Sequence, residues 1–518
     1  MRGFPAAVVP SGRGIGYGGR MPAPLRFPAP LALLTFVTIA FGHRATADDA
    51  SRPNILLVTA DDLGMQLGCY GDDTVPTPHL DALAEQSLRF TTAYVTQASC
   101  SSSRSSMLTG LYPHANGQYG LANAPQPFVM NAAAQAQILP NLLRDAGYRT
   151  ACLGKLHVNP RGAFAWDLFD KTGFGTRDVR QQVGMAEDFV AAADENGQPW
   201  FLMFNLFDPH VAKKRTKGKD GNVRSGPSYF PDVVQGLPAD PVTAADVQAW
   251  PWQNVIDAKQ RDRIAGYYNC VARIDAAIGL LVEALDLDGA AEANTLVMVI
   301  GDHGPPFFRG KTTCYEAGLR IPMLVRWPGD DATPAIGPGV SDALASTLDL
   351  YATAVDVAGI DPPETMHGRT LAEHAADDWR TELVGEHHWH GPGKYVPRRA
   401  IRDARYKLIH NLKAGQAKGY AGVDGDAIYQ RLGTLDVPDR THAAFDRAVD
   451  PPEWELYDLQ ADPIEFDNRA DDASLAEVRS RLQASLEEWQ RETNDPLTDG
   501  PQPLEGADKI KPKKAAAR

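Results

Sequence analysis

Three short apolar runs along the chain end in acids and histidines. Ile55-Leu-Leu-Val58 leads into Thr59-Ala60-Asp61-Asp62. Phe201-Leu-Met-Phe-Asn-Leu-Phe207 leads into Asp208-Pro209-His210, and Thr295-Leu-Val-Met-Val-Ile300 into Gly301-Asp302-His303-Gly304. Runs of this kind mark strands covered on both faces, as in parallel sheets. Helical patterns lie between them, from Leu80 to Phe90 and from Ile264 to Leu285. The alternation predicts an α/β fold with a large mixed, mostly parallel sheet covered by helices on both faces. Ligands of open α/β sheets sit beyond the carboxyl ends of the strands. Three strands that deliver Asp and His to one edge therefore predict a site there.

The pattern changes after about residue 375. Ala400 to His410 reads as a hairpin with a tight turn at Asp403-Ala404, and Glu455-Leu-Tyr-Asp458 as a further short strand. Leu475, Val478, Leu482, Leu486 and Trp489 recur at helical spacing and form one apolar stripe, read as core packing. The expected organisation is a catalytic unit over 48–375, a smaller α+β domain over 376–497 and a disordered tail over 498–518.

Residues 1–47 read as a signal peptide. Basic residues without acids precede the apolar stretch Leu31–Phe41, and Ala45-Thr-Ala47 forms a small-residue cleavage site. The stretch is too short to span a bilayer. Met21 is an alternative start that keeps the same order of features. The mature chain is expected to begin near Asp48 and to be exported, periplasmic or secreted. Loss of the leader's five arginines takes the formal charge from −14 to −19. That sign argues against nucleic acid as a general partner, which needs a basic face. A polyanionic substrate would need a local basic patch to overcome the overall field. The five cysteines, Cys69, Cys100, Cys152, Cys270 and Cys314, form neither a disulfide scaffold nor a zinc motif.

Asp61-Asp62 and Asp302-His303, each at a strand end, suit a hard divalent cation that takes oxygen ligands. Solvated loop acids are the alternative. Cys100-Ser-Ser-Ser-Arg104-Ser-Ser-Met-Leu-Thr-Gly110 reads as a loop entering a helix. A helix N-terminus favours an anion, and Cys100 and Arg104 four residues apart share a helix face. A flexible Ser-rich turn with a buried cysteine is the competing reading. Lys155 and His157 would share one face of an extended segment, as a charge clamp and an acid/base. His210 and Lys311 carry little signal on their own.

Taken together, these segments resemble the sulfatase family of the alkaline phosphatase superfamily, over almost all of the mature chain. Cys100 to Gly110 is similar to the family signature C-x-P-x-R followed by L-T-G. Pro53-Asn-Ile-Leu-Leu, Thr77-Pro-His-Leu-Asp81, Phe90-Thr-Thr-Ala-Tyr94, Gly154-Lys155 and Tyr315-Glu-Ala-Gly-Leu-Arg-Ile-Pro322 match in family order. Asn116-Gly-Gln-Tyr-Gly-Leu121, Asp208-Pro-His210, Arg399-Ala-Ile-Arg402, Leu408-Ile-His-Asn411, Trp454-Glu-Leu-Tyr-Asp458 and Glu488 to Pro496 resemble the heparan N-sulfatase (sulfamidase) subgroup.

The resemblance implies an alkaline phosphatase-like fold and assigns roles. Cys100 would be converted to Cα-formylglycine by a formylglycine-generating enzyme. Asp61, Asp62, Cys100, Asp302 and His303 would hold one Ca²⁺ per chain. Arg104, Lys155 and Lys311 would neutralise sulfate oxygens, His157 would act as a base and His210 as an acid toward the leaving group. The implied substrate is a sulfated saccharide, N-sulfoglucosamine in heparin- or heparan-like glycans. An O-sulfated glycan or aryl sulfate, a phosphatase of the same superfamily, and a non-catalytic glycan-binding protein with unmodified Cys100 are the alternatives. Homodimers are frequent in the family. Ser102 departs from the signature, where Pro is usual.

Overall fold

In the computed structural model the three apolar runs lie side by side at the centre of one sheet. The structure describes residues 52–501 apart from 123–127, 172–176, 218–221, 232–240, 290–293, 330–335, 392–393 and 499. The leader and most of the expected tail lie outside the described residues.

Strand β1 (Asn54–Asp61) pairs in parallel with β5 (Trp200–Pro209) and with β8 (Thr295–Gly301). Its alternation explains why the run is apolar throughout. Ile55 and Leu57 face one layer, packing with Met107, Leu108, Leu350 and Tyr351. Leu56 and Val58 face the other, packing with Ile264, Tyr267 and Ile278 of the helix Ala258–Ala284. Both faces are covered, so Ile55–Val58 are all apolar, and the first buried polar position, Thr59, is bonded to Asn205 and Arg104.

Around this centre lie β2 (Leu88–Tyr94), β3 (Arg149–Leu153), β4 (Leu168–Asp170), β9 (Arg320–Arg326), β10 (Gly339–Ser341) and β11 (Ala345–Ser346). The order is β10-β2-β9-β8-β1-β5-β3-β4, with β11 also on β2. Only β9 runs antiparallel to its neighbours. A separate hairpin, β6 (Ala212–Lys217) and β7 (Val223–Tyr229), leaves the end of β5.

The helix expected from Leu80 to Phe90 is shorter, Pro78–Glu85, and Leu88–Phe90 belong to a strand. The Ser87 hydroxyl donates to the Leu83 carbonyl and closes the helix end. The β-branched and aromatic residues that follow favour the extended form that β9 pairs with.

The C-terminal region builds a four-stranded antiparallel sheet from β12 (Leu383–His387), β13 (Arg398–Arg402), β14 (Tyr406–Asn411) and β15 (Trp454–Asp458). The β13–β14 turn forms where expected: Asp403 Oδ1 accepts from the backbone of Arg405 and Tyr406. The helix Ala476–Glu492 lays Leu482 and Leu486 on Val384, Ile401, Leu408 and Leu456. All five cysteines are free thiols, and among the described residues no helix is long and apolar enough to cross a membrane.

Candidate active site

The strand ends and one buried helix converge. Asp61 closes β1, and Asp62 follows in the left-handed backbone region at φ 74°. The Asp62 backbone N–H donates to Asp302 Oδ1 at 2.8 Å, locking the ends of β1 and β8 together. The helix Cys100–Thr109 begins at Cys100 itself and every residue in it is buried. Three of its buried hydroxyls bond back along the helix, while those of Ser102 and Ser103 have no hydrogen-bond partner among the described residues. Ser105 and Ser106 donate to the Ser102 carbonyl, and Thr109 to that of Ser105.

Cys100 Sγ lies 3.2 Å from His303 Nε2 and 4.0 Å from Asp62 Oδ1. His303 Nδ1 donates to the Gly304 carbonyl at 2.9 Å, which leaves the Nε2 lone pair facing the site. Arg104 Nε donates to Asp302 Oδ2 at 3.0 Å, and its Nη1 is held by Thr59, Asn205 and the Lys155 carbonyl. Lys155 Nζ reaches both oxygens of Asp61, at 2.7 and 2.6 Å. Lys311 Nζ bridges Asp62 Oδ1 and Asp424 Oδ2, each at 2.8 Å. His210 Nδ1 donates to the Val211 carbonyl, and its Nε2 points to Asp62 Oδ2 at 3.9 Å.

Two donor groups result, Asp61–Cys100–Asp302–His303 and Asp62–His210–Asp424, each with ligand atoms within 4.8 Å of one another. Asp62 Oδ2 is buried and accepts no hydrogen bond. Carboxylates crowded in a dry pocket with an imidazole lone pair are the donor set of a divalent cation.

The electrostatics are lopsided. Burial raises the Asp61 carboxyl, but Lys155, His210, Arg104 and Lys311 outweigh it and hold it well below the carboxylate range. Burial raises that of Asp302. Lys155 and Lys311 are held charged against burial, chiefly by Asp61 and by Asp424 with Asp62 respectively. Burial pushes the Cys100 thiol up, and Lys155 and Lys311 do not offset it. An unmodified Cys100 is thus a poor thiolate nucleophile.

A sulfatase family model matches residues 53–360, and a model for the N-sulphoglucosamine sulphohydrolase C-terminal region matches 301–422. Human N-sulphoglucosamine sulphohydrolase is 33% identical over 488 residues, covering 87% of this chain and 92% of that one. The chain belongs to the sulfatase family. An N-acetylglucosamine-6-O-sulfatase of Bacteroides thetaiotaomicron is 25% identical, covering 90% of each chain. A protein solved with its substrate D-glucosamine-2-N,6-O-disulfate superposes with a TM-score of 0.60 at 20% identity, covering 89% of this chain and all of that one. A 2-O glycosaminoglycan sulfatase superposes with the same score and identity, covering 86% of this chain and 93% of that one. These likenesses match the alkaline phosphatase-like α/β fold.

In this sulfatase all the residues singled out in the sequence gather at one place. The route differs for Lys155 and His157. They are not in an extended segment: β3 stops at Leu153, Gly154 turns at φ 95°, and His157 is itself left-handed at φ 54°. A Cβ on Gly154 would lie 2.3 Å from the Asn205 carbonyl oxygen, so only glycine lets the turn press against β5. Burial, then Lys155, holds the His157 imidazole well below its usual range.

Sequence reasoning missed Asp424, which pairs with Lys311, and His390, whose Nδ1 lies 3.0 Å from Ser99 Oγ beside the Cys100 helix start. Burial and Lys311 push the His390 imidazole down to about 3. It also missed Thr59 and Asn205, which hold Arg104. The run His387-His-Trp-His390 and the Asp424-Gly-Asp426 turn were visible signals. Neither has a pattern that points to strand ends more than eighty residues away.

Proposed function

We propose that this sulfatase releases sulfate from N-sulfoglucosamine in heparin- or heparan-like glycans, with Cys100 converted to formylglycine and one Ca²⁺ per chain. The observation that carries the chemistry is the convergence of Cys100, Asp61, Asp62, Asp302 and His303 inside a ring of Arg104, Lys155 and Lys311. The substrate is carried by the likeness to the human N-sulphoglucosamine sulphohydrolase, which spans nearly all of that protein.

Asp61, Asp62, Asp302, His303 Nε2 and the modified Cys100 would hold the cation, which would polarise a sulfate oxygen and acidify the neighbouring hydroxyl. A hydrated formylglycine at position 100 would supply an oxygen nucleophile toward sulfur and a second hydroxyl whose deprotonation would release sulfate without attack by water. The chain's own groups do the rest. Arg104 is fixed by four bonds and acts as a stationary charge behind the nucleophile. Lys155 and Lys311 supply ammonium groups, paired with Asp61 and with Asp62 and Asp424, to sulfate oxygens. His157 stays neutral and takes the proton of the second hydroxyl. His210, held through Nδ1, presents Nε2 to the leaving nitrogen or oxygen as the acid. Charge balance supports this use. Four innermost carboxylates, counting Asp424, face Arg104, Lys155, Lys311 and a protonated His210; a divalent ion would give the site a net positive charge, which suits a sulfamate monoanion.

Cys100 is fully buried, so the formylglycine-generating enzyme would meet it in the extended chain before folding. Export of the mature chain from near Asp48 fits that order. The test is release of sulfate from N-sulfoglucosamine by enzyme whose Cys100 peptide shows the ~18 Da loss of the aldehyde. Turnover of O-sulfated sugars alone would move the assignment to the second reading, an O-sulfatase, which the N-acetylglucosamine-6-O-sulfatase relative supports.

A further inference from the structure

The hairpin β6–β7 leaves the site two residues after His210 and has no part in the chemistry above. Its first strand, Ala212-Lys-Lys-Arg-Thr-Lys217, carries four cations and no acid, and residues 213–217 are all exposed. Among the described residues none of Lys213, Lys214, Arg215 and Lys217 enters an ion pair. Lys214 Nζ instead lies 5.5 Å above the ring of Tyr229, itself 40% exposed. The chain as a whole has 65 acidic against 51 basic residues, a net charge of −14. Four unpaired cations along one strand are therefore a local reversal of sign.

The hairpin is fastened at the rim of the site. Ala212 pairs with Tyr229 and Lys213 with Ser228. Phe230, directly after the hairpin, is buried against Tyr267 and Phe307. A Cβ on Gly425 would lie 3.0 Å from the Ser228 Cβ, so the strand passes beside the turn that carries Asp424. Arg263 stacks on Phe230 and donates to the Asp424 carbonyl. The cations thus start where His210 and Asp424 end. Arg215 and Lys217 are alternate residues on one face, the pairing register shifts between Lys213 and Arg215, and the cations span roughly 14 Å of strand leading away from the site.

We infer that the β6–β7 hairpin is a subsite for the anionic glycan chain beyond the sugar being cleaved. It would bind sulfates and carboxylates of neighbouring saccharide units by charge, against the repulsion of the rest of the surface. The inference rests on the proposed function only in taking an anionic glycan as substrate.

The test compares the wild type with the variant K213Q/K214Q/R215Q/K217Q. A heparin-derived oligosaccharide is titrated into each at low and high salt, and sulfate release from monomeric N-sulfoglucosamine is measured alongside. The expected result is a roughly tenfold weaker affinity for the oligosaccharide, from the loss of four exposed charges. Its salt dependence should also be shallower, while kcat/KM on the monosaccharide is unchanged. Retained oligosaccharide affinity overturns the inference. So does an equal loss on the monosaccharide, or a loss confined to anionic phospholipid vesicles. If the wild type binds the oligosaccharide through these residues yet releases no sulfate from N-sulfoglucosamine, the substrate assignment fails and the subsite stands.

Discussion

Glu386 and Asp62 are both carboxylates closed off from solvent, and they keep opposite company. Glu386, on β12, accepts from the His114 backbone at 2.8 Å and from His114 Nδ1 at 2.7 Å. Arg399 lies 3.6 Å away and makes a two-pronged bond to Asp495, both contacts at 2.7 Å. Every charge in that junction is matched by a fixed partner. At the strand ends, Asp61, Asp62 and Asp302 stand together and Asp62 Oδ2 accepts no hydrogen bond; Arg104 holds Asp302, while the cations matched to Asp61 and Asp62 are on the long stems of Lys155 and Lys311. The first cluster is complete as it folds and joins the C-terminal sheet to the rest. The second is a donor set that fits a metal site, with one carboxylate oxygen left without a hydrogen bond. Buried charge alone does not mark function; buried charge without fixed, complete pairing does.

The comparison breaks most sharply under substitution. Cys100→Ala is expected to lower turnover by roughly 10⁴-fold or more, as loss of a nucleophile does, with the thermal midpoint barely moved. A large fall in the midpoint would give Cys100 a structural role instead. Arg399→Met is expected to do the reverse. It strands Glu386 and Asp495 without their cation and should cost about 3–5 kcal/mol of stability in a denaturant titration. Activity per folded molecule should be kept. Lys155→Ala should lower kcat by about 10²–10³-fold, the size of one lost oxyanion contact. Its stability with Ca²⁺ present should match the wild type.

Smaller effects sharpen the contrast. Chelation with EGTA should lower the midpoint of the wild type but not of Asp302→Asn, by an amount equivalent to about 2–4 kcal/mol at saturating metal. A shift equal in both proteins would put the cation elsewhere. The smallest effect is in pH. Burial, with Arg399 adding, pushes the His388 imidazole down to about 4. The unfolded chain, near 6.5, takes up the proton first as pH falls. Stability should therefore drop between about pH 6.5 and 4, by up to about 1.4 kcal/mol per pH unit from this group. His388→Gln should flatten that part of the curve. Burial raises the Glu386 carboxyl, but His114 and Arg399 outweigh it and hold it well below the usual range. Its contribution is present above the unfolded value and is lost only at lower pH.

Much of this was legible in the chain. The periodic runs of β1, β5 and β8, the β13–β14 hairpin and the stripe at 475–489 formed where the pattern put them, because burial on one or both faces imposes a local rhythm. The helix from Leu80 ran too far in that reading, since Leu88–Phe90 owe their strand to pairing with β9, a partner more than two hundred residues on. His157 reached the site through a left-handed turn that no alternation rule describes.

By itself the sequence determined that three apolar runs are strands ending in acids or histidine, that Ala400 to His410 is a hairpin, and that Cys100 and Arg104, four residues apart, would share a face of any helix begun at Cys100. These follow from side-chain chemistry and backbone period, which are local. Tertiary structure alone decided that β1 sits between β5 and β8, that Asp424 and His390 close the site, and that a basic hairpin stands at its rim. Such neighbours are chosen by packing and charge across long stretches of chain, and neither leaves a periodic mark in the sequence.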